Sequence, residues 1–134
     1  MSTISTGILV LVGAFFLLMM GMQVLVRAQA RALTGKPVPA LPGPLGARVA
    51  GSGRALVYFF SPMCGACRAI TPRIQALGKK SSAVFAVDVS QTDSLDVARA
   101  LRIMATPSTV EIDDGKIRGV YIGPVPDDVM ERFS

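Results

Sequence analysis

The feature that most restricts the fold of this chain is a long apolar run near its N-terminus that carries no charge. The run extends over 23 residues, from Ile4 to Val26, and only Ser5, Thr6 and Gln23 in it are clearly polar. As a helix it would be about 34 Å long at roughly 1.5 Å per residue, and a bilayer core of roughly 30 Å needs about 20 residues. We therefore predict one membrane-spanning helix over residues 4–26.

A cleaved signal peptide is the alternative interpretation of this run. Signal peptides have a basic segment, a short apolar core and a small-residue cleavage site. Here no Lys or Arg precedes the run, the run is longer than a signal core, and the loosely matching triplet 28–30 follows Arg27. The pattern favours an uncleaved anchor.

Basic residues follow the apolar run, whereas none precedes it and no acidic residue occurs before Asp88. The positive-inside rule then predicts that the C-terminal domain lies in the cytoplasm. We expect a single-pass protein of a bacterial inner membrane. A domain in the periplasm is the alternative. The same charges could contact anionic lipid, so we expect membrane lipid as a partner. The basic residues are Arg27, Arg31, Lys36, Arg48 and Arg54.

The net charge of +5 raises the question of nucleic-acid binding. The positive excess lies beside the apolar run, and aromatic residues do not alternate with it as they do in single-strand binders. We therefore expect no nucleic-acid partner.

Residues 27–54 have the composition of a basic linker rich in proline and glycine. Its first part, up to Leu33, continues the helical pattern, and Gly51–Gly53 is typical of a turn. Four prolines between these parts argue against a regular helix and favour extended chain. Because the domain that follows is small, we expect part of the linker to pack against it. The prolines are Pro37, Pro39, Pro42 and Pro44.

Residues 55–134 show the alternating pattern of a compact α/β domain, in the order β-α-β-α-β-β-α. The apolar runs 55–60 and 83–89 predict buried strands that are parallel, because a helix joins them. An Asp-Gly turn joins strands 108–112 and 116–122 as a hairpin. The expected architecture is a mixed central sheet flanked by helices. The predicted helices cover residues 66–79, 94–102 (with Asp93 or Ser94 as N-cap) and 126–133.

The two cysteines of the chain form the sequence Cys64-Gly65-Ala66-Cys67, between a strand and the start of a helix. A dithiol in this place is typical of a redox motif. The helix N-terminus stabilises a thiolate on the first cysteine, and the second can resolve a mixed disulfide. We predict Cys64 as nucleophile and Cys67 as resolving residue, with Gly65 and Ala66 leaving access open and no cofactor beyond this redox-active disulfide.

Two other roles of the cysteine pair are less consistent with the sequence. A structural zinc site needs four ligands, but the chain has no histidine and no third cysteine. A purely structural disulfide would close too small a loop to constrain the unfolded chain. We predict no metal site.

Residues 58–68, together with three later features, resemble the thioredoxin family. Pro72 matches the proline of the family's active-site helix, Ala105–Ser108 its cis-proline loop, and Asp113–Lys116 with Gly123 the hairpin and the glycine after it. The resemblance implies a thioredoxin-like fold over residues 55–133, preceded here by the transmembrane helix, and a cis peptide bond at Thr106-Pro107.

The same resemblance implies a function, a membrane-anchored thiol–disulfide oxidoreductase that reduces protein disulfides. Its substrates would be protein disulfides, and a thioredoxin reductase-type system would be its donor. Thr106 and Pro107 would present backbone to the substrate, and Met63, Gly65 and Ala66 would contact it.

The sequence also departs from the family pattern. Met63 replaces the usual tryptophan and Ala66 the usual proline, and Tyr58 stands where thioredoxins have a buried acid. Val84 is the nearest match to the partner lysine of that acid. A tyrosine, with a pKa of about 10, is a poor base, so we expect slow exchange or one dedicated partner that supplies the base. The alternatives are a periplasmic protein for disulfide exchange or cytochrome maturation, and a non-catalytic tethered adaptor.

Overall fold

The computed structural model describes residues 2–134 and begins with one continuous helix, α1 (Ser2–Leu33). No residue of α1 is fully buried. Its length and apolar composition are sufficient to cross a membrane, a property that it shares with N-terminal signal sequences. The helix ends shortly before Gly35, whose φ of +84° is a left-handed conformation that favours glycine.

The remaining elements follow the predicted order, with one additional helix in front of the first strand. The predicted strands and helices agree with the structure to within about two residues in most cases, as expected for element ends. Residue Gln91, not Asp93 or Ser94, is the N-cap of the fourth helix, and its side chain forms no capping bond. The elements are α2 (Gly43–Gly51), β1 (Arg54–Phe60), α3 (Cys67–Lys80), β2 (Val84–Asp88), α4 (Thr92–Ala100), β3 (Ser108–Asp113), β4 (Lys116–Ile122) and α5 (Asp127–Glu131).

The four strands form one mixed sheet in the order β2-β1-β3-β4. Strand β1 is parallel to β2 and antiparallel to β3, and β3 is antiparallel to β4. The β3–β4 turn places Asp114 and Gly115 at positive φ, 52° and 74°. Strand β4 therefore runs in the same direction as β1 and β2, so these three strands end at the same end of the sheet.

Helices cover both faces of the sheet, as predicted. One face packs against α2 and α4, through buried side chains that include Val57, Val97 and Val49. The opposite face packs against α3 and α5, through Leu56, Ile74 and Val129. Alternate residues of β1 serve the two faces, which explains why its apolar run is continuous.

The extended conformation predicted for the proline-rich part of the linker is wrong for residues 43–51, which form α2. Pro44 lies in the first turn of this helix, where a backbone N–H has no intrahelical partner and a proline costs little. Val49 is 2% exposed and belongs to the core, and Leu41 and Leu45 pack against that core. The expected packing of part of the linker on the domain is thus confirmed. The prediction of extended chain, which was drawn from the prolines, is corrected for residues 43–51.

The stretch before α2 is hydrogen-bonded to the free edge of β4. The Gly35 N–H donates to the Ile117 carbonyl at 2.7 Å, and the Val38 N–H donates to the Gly115 carbonyl at 2.9 Å. In return the Ile117 N–H donates to the Lys36 carbonyl at 2.9 Å. Residues 35–38, called here the pairing segment, therefore fix the connection between α1 and the domain.

The last turns of α1 also pack on the domain. Val26, Ala30 and Leu33 are half-buried, whereas their neighbours on α1 are exposed. Their spacing of four and three residues places them on one helix face. This face lies against β4 near Val120. Helix α1 is therefore attached to the domain at two places, by its own side chains and by the pairing segment.

A buried carboxylate connects β3 with α5. Glu111 is 1% exposed and accepts hydrogen bonds from Arg132 Nε at 3.0 Å and Nη2 at 2.9 Å. The Tyr121 hydroxyl donates to the same carboxylate at 3.0 Å. Burial, followed by this bond to Glu111, raises the pKa of Tyr121 above its ordinary value. The paired guanidinium compensates the buried charge of Glu111.

Candidate active site

The loops that follow β1 and precede β3 meet at one end of the sheet. Phe59 is paired with Ser108, and Ser108 is paired with Ile122 on β4. The Val89 N–H, just after β2, donates to the Phe60 carbonyl at 2.9 Å. Residues 61–67, 104–107 and 122–123 therefore share this end, which we call the dithiol end.

Cys64 and Cys67 are joined as a disulfide, with their Cα atoms 5.3 Å apart. Cys67 is the first residue of α3 and is 2% exposed, whereas Cys64 lies just before the helix and is half-buried. The Cys67 N–H donates to Cys64 Sγ at 3.3 Å. Since the N-cap Ala66 provides no capping side chain, the positive end of α3 is directed at the sulfur of Cys64.

This geometry supports the predicted roles of the two cysteines. The accessible sulfur is the one that receives an N–H bond, and such a bond stabilises a thiolate more than a thiol. Cys67 is 2% exposed, so a substrate sulfur can approach Cys64 more easily than Cys67. Attack by Cys64 and resolution by Cys67 remain predictions, because they describe a reaction.

The Thr106-Pro107 peptide bond is cis, as the resemblance implied. The Pro107 carbonyl accepts the Gly123 N–H at 2.9 Å, which ties the loop to the end of β4. Thr106 is half-buried, and within residues 2–134 its N–H and carbonyl have no backbone partner. These groups can pair with an extended substrate, so the predicted substrate-binding role of Thr106 has a physical basis.

Exposed apolar side chains surround the dithiol. Met63 is 92% exposed, and Gly65 and Ala66 beside it are also exposed, as predicted for residues that contact substrate. The structure adds Met104, 63% exposed, and Ile122, 41% exposed, which the sequence analysis missed. Ile122 lies at the dithiol end because the register of β3 with β4 pairs it with Ser108. Met104 lies there because it directly precedes the cis-proline loop.

Tyr58 lies beneath this end, fully buried and stacked on Phe60 with ring centroids 5.7 Å apart. Its hydroxyl oxygen is 2.9 Å from Thr71 Oγ1, which itself donates to the Cys67 carbonyl at 2.7 Å. Because Thr71 has a single hydroxyl proton, the Tyr58 hydroxyl is the donor in the first bond. The result is a neutral hydrogen-bond chain from Tyr58 through Thr71 to Cys67.

The environment of Tyr58 makes it a poor proton acceptor. Burial raises the pKa of Tyr58 above its ordinary value of 10. Thr71 was missed in the sequence analysis, although its position four residues after Cys67 on a helix is the signal for such a bond.

The residue opposite Tyr58 on β2 is Ala86, whereas Val84 is paired with Leu56. The match of Val84 to the family's partner lysine is therefore corrected to Ala86. The conclusion is unchanged, because neither residue can carry a charge.

Comparisons with known proteins agree with this site. A family model described as Thioredoxin matches residues 46–134. A thioredoxin H-type of Fagopyrum esculentum is 32% identical over 84 residues, which cover 62% of this chain and 72% of that protein. Thioredoxin H7 of Arabidopsis thaliana is 35% identical over 87 residues, 63% of this chain and 66% of that protein.

Solved structures show the same likeness. The reduced thioredoxin pre-protein of Schistosoma mansoni matches with a TM-score of 0.56 and 28% identity, over 69% of this chain and 91% of that chain. Oxidised thioredoxin O2 of Arabidopsis thaliana matches with a TM-score of 0.53 and 28% identity, over 66% and 81% of the two chains.

The mixed sheet, the dithiol at a helix N-terminus and the facing cis-proline loop define a thiol–disulfide oxidoreductase of thioredoxin-like fold. With the family match over residues 46–134, the chain belongs to the thioredoxin family.

Proposed function

We propose that this protein is a membrane-anchored thiol–disulfide oxidoreductase that reduces protein disulfides, with its catalytic domain on the cytoplasmic side of a bacterial inner membrane. The observation that carries the proposal is the continuity of α1 with a domain that holds the Cys64–Cys67 pair. In a reducing compartment such a pair is kept as a dithiol.

The proposed reaction begins with the reduced protein. The Cys64 thiolate attacks one sulfur of a substrate disulfide, and the other substrate sulfur leaves as a thiolate that takes up a proton. The Cys67 thiolate then attacks Cys64 Sγ in the mixed disulfide and releases the second substrate thiol. Two electrons pass to the substrate, the protein becomes the disulfide seen here, and a thioredoxin reductase-type donor restores the dithiol.

Within residues 2–134, no carboxylate or lysine side chain is hydrogen-bonded to Cys67 or to the polar chain beside it. Cys67 is buried, and the polar chain next to it ends on its carbonyl and contains only hydroxyl groups. Its proton must leave to water or to a group of the partner. We therefore expect insulin reduction that is slower than that of a thioredoxin with the buried acid.

Two variants of the full chain test the proposal. Cys64→Ser should abolish insulin reduction, and Cys67→Ser should trap mixed disulfides that a reducing agent releases for mass spectrometry. An insulin rate equal to that of an ordinary thioredoxin would contradict slow resolution. A Cys67→Ser protein that traps no partner would contradict the enzyme function and favour a tethered adaptor.

The membrane side is tested with C-terminal reporter fusions. A fluorescent cytoplasmic reporter should be active, and an alkaline phosphatase fusion should be inactive. Phosphatase activity would place the domain in the periplasm and overturn the cytoplasmic part of the proposal.

A further inference from the structure

We propose that the dithiol end of the domain faces the membrane surface, so that the enzyme acts on disulfides at the lipid–water interface of other membrane proteins. This inference rests on the proposed membrane anchoring by α1 and names the substrate class of the same site.

Two contacts between α1 and β4 give the direction of β4 relative to α1. At the C-terminal end of α1, the Gly35 N–H bonds to the carbonyl of Ile117, near the start of β4. Ile122, at the end of β4, lines a cleft with Met22 and Val26 of α1. Strand β4 therefore runs antiparallel to α1, back toward the apolar segment.

The direction of β4 also determines which end of the sheet points toward the apolar segment of α1. Strands β1 and β2 run in the same direction as β4, so the loops after them lie at the end of the domain that points toward the apolar segment of α1. These loops include Cys64. With α1 in a bilayer, the opposite end of the sheet, at the β3–β4 turn, points away from the membrane.

The contacts of the cis-proline loop with α1 indicate its depth relative to the membrane. Ala105, next to the cis peptide bond, lines the same cleft as Met19, Met22 and Val26. These three residues belong to the last turns of the uncharged run, and Arg27 follows immediately. The boundary between apolar and charged residues on α1 marks the interface, so the loop lies at the level of the lipid headgroups.

The side chains at the dithiol end fit this environment. Met63, Met104 and Ile122 are exposed apolar groups. Arg68, in the first turn of α3 directly after Cys67, and Arg102, two residues before Met104, are exposed cations, and Arg102 lines a cleft with Val26 of α1. Apolar tips that enter the headgroup region and cations that contact lipid phosphates are the combination found on interfacial surfaces.

This orientation restricts what can reach Cys64. A large soluble protein would have to enter between the domain and the bilayer. A disulfide at headgroup depth in another membrane protein can instead approach from the side, within the plane of the membrane. The substrate class is therefore a disulfide near the membrane boundary of an integral membrane protein.

A depth measurement tests the orientation without using activity. The full chain with Cys64→Ser and Cys67→Ser is incorporated into nanodiscs of phosphatidylcholine and phosphatidylglycerol. Bimane is attached through Met104→Cys or, as a matched control, through Ser82→Cys, an exposed position before β2 at the opposite end of the sheet. A headgroup nitroxide lipid should quench the label at position 104 several-fold more strongly than the label at position 82.

Equal quenching at the two positions would overturn the orientation while leaving the proposed anchoring intact. A chain that does not enter nanodiscs would instead overturn the anchoring, and the inference would fall with it.

A substrate measurement tests the consequence. The reduced native protein in nanodiscs is mixed with two transmembrane peptides, each releasing a fluorescent thiol from a disulfide. One peptide carries the disulfide directly beyond its apolar stretch, and the other carries it at the end of a long Gly/Ser tether. The interfacial disulfide should react several-fold faster, and a soluble disulfide peptide serves as reference.

Equal rates at both heights, together with reduction of the soluble peptide, would overturn the inference and leave the oxidoreductase function standing. No reaction with any of the three would overturn the proposed reductase function itself.

Discussion

At the scale of single residues, Tyr58 shows most about the chemistry of the site. It holds the position of a buried acid, yet its hydroxyl donates to Thr71, and Thr71 donates to the Cys67 carbonyl. This hydrogen-bond chain fixes the backbone at the start of α3. Neither of its two hydroxyl groups can accept a proton near neutral pH. Its contribution is therefore to the geometry of Cys67, and the thiol chemistry depends on α3.

Replacing Tyr58 with phenylalanine tests this view. Tyr58→Phe removes one buried hydrogen bond, so we expect a loss of about 1 kcal/mol in the free energy of unfolding. The pH profile of Cys64 alkylation and the insulin rate should be unchanged, because the lost hydroxyl never ionises in that range. Chemical denaturation and iodoacetamide kinetics measure the two effects. Thr71→Val, which removes both bonds, should destabilise the protein more.

A shifted alkylation profile in Tyr58→Phe would contradict the geometric role. It would show that the hydroxyl takes part in proton transfer at the dithiol.

The raised pKa values of Tyr58 and Tyr121 predict loss of stability in alkaline solution. Both tyrosines hold their proton more tightly in the folded than in the unfolded chain. Above a pH of about 10 the unfolded state therefore binds fewer protons, and stability falls as the pH rises. Unfolding by denaturant at increasing pH measures this fall. Tyr58→Phe should make it less steep, and an equal slope would contradict the assignment.

The sequence located the cysteine pair and the cis peptide bond, but it did not reveal the contacts that support them. Cys64 and Cys67 follow from a local motif, and the cis-proline position was implied by the resemblance to the thioredoxin family, so all three could be predicted. Ile122 reaches the site through the pairing of β4 with β3, which no local pattern encodes. Met104 directly precedes the predicted cis-proline loop, so its position in the sequence was an available signal.

At the scale of elements, α2 shows that the position of a proline, and not the number of prolines in a stretch, decides whether a helix can form. The stretch contains four, but Pro44 occupies the first turn of the helix, the one position where its missing N–H is harmless. Strand β1 could be predicted because both faces of a central strand must be apolar. Strand β2 was located correctly, but the prediction that it is buried on both faces is wrong, because it is an edge strand and its Ala86 is exposed. Helix α2 could not be predicted, because its burial depends on contacts with α4 and with the core.

Two glycines of α2 provide a matched test of its packing. A Cβ at Gly46 would overlap the backbone carbonyl of Leu41, whereas a Cβ at Gly51 would meet open space. Gly46→Ala should therefore lower the free energy of unfolding by about 1–3 kcal/mol, the usual cost of overpacking. Gly51→Ala should leave it unchanged or raise it slightly. Chemical denaturation of both variants measures the difference, and equal stabilities would show that the α2 contact is not fixed.

At the scale of the whole molecule, the relation of α1 to the domain is the feature that the sequence concealed. Val26, Ala30 and Leu33 pack on β4, but Val26 belongs to the apolar run that the predicted membrane span already explains, and Ala30 and Leu33 lie beyond Arg27 in the predicted linker. An apolar residue that a membrane span already explains gives no separate signal that it packs on the domain. The pairing segment was equally hidden, because backbone hydrogen bonds leave no trace in side-chain composition.

The proposed orientation in the membrane depends on the basic residues after the span. Replacing Arg27 and Arg31 with glutamate removes the positive charges nearest to the apolar run, so the preference for the cytoplasmic side should weaken or reverse. Alkaline phosphatase fused to the C-terminus should then gain activity relative to the native chain. The same substitutions at Arg99 and Arg118, which lie far along the chain, should leave the reporter inactive.

The attachment of α1 to the domain through the pairing segment has a consequence for encounter kinetics. A catalytic head on a flexible linker searches a volume set by the length of that linker. Here the bonds of Gly35, Val38 and Ile117 hold the domain in one pose on α1, the proposed anchor. Once α1 is embedded in a bilayer, such a head cannot swing to its substrate and meets it by lateral diffusion. Its reaction rate would then follow the number of partners per unit area of membrane, and their concentration in the surrounding solution would have little influence.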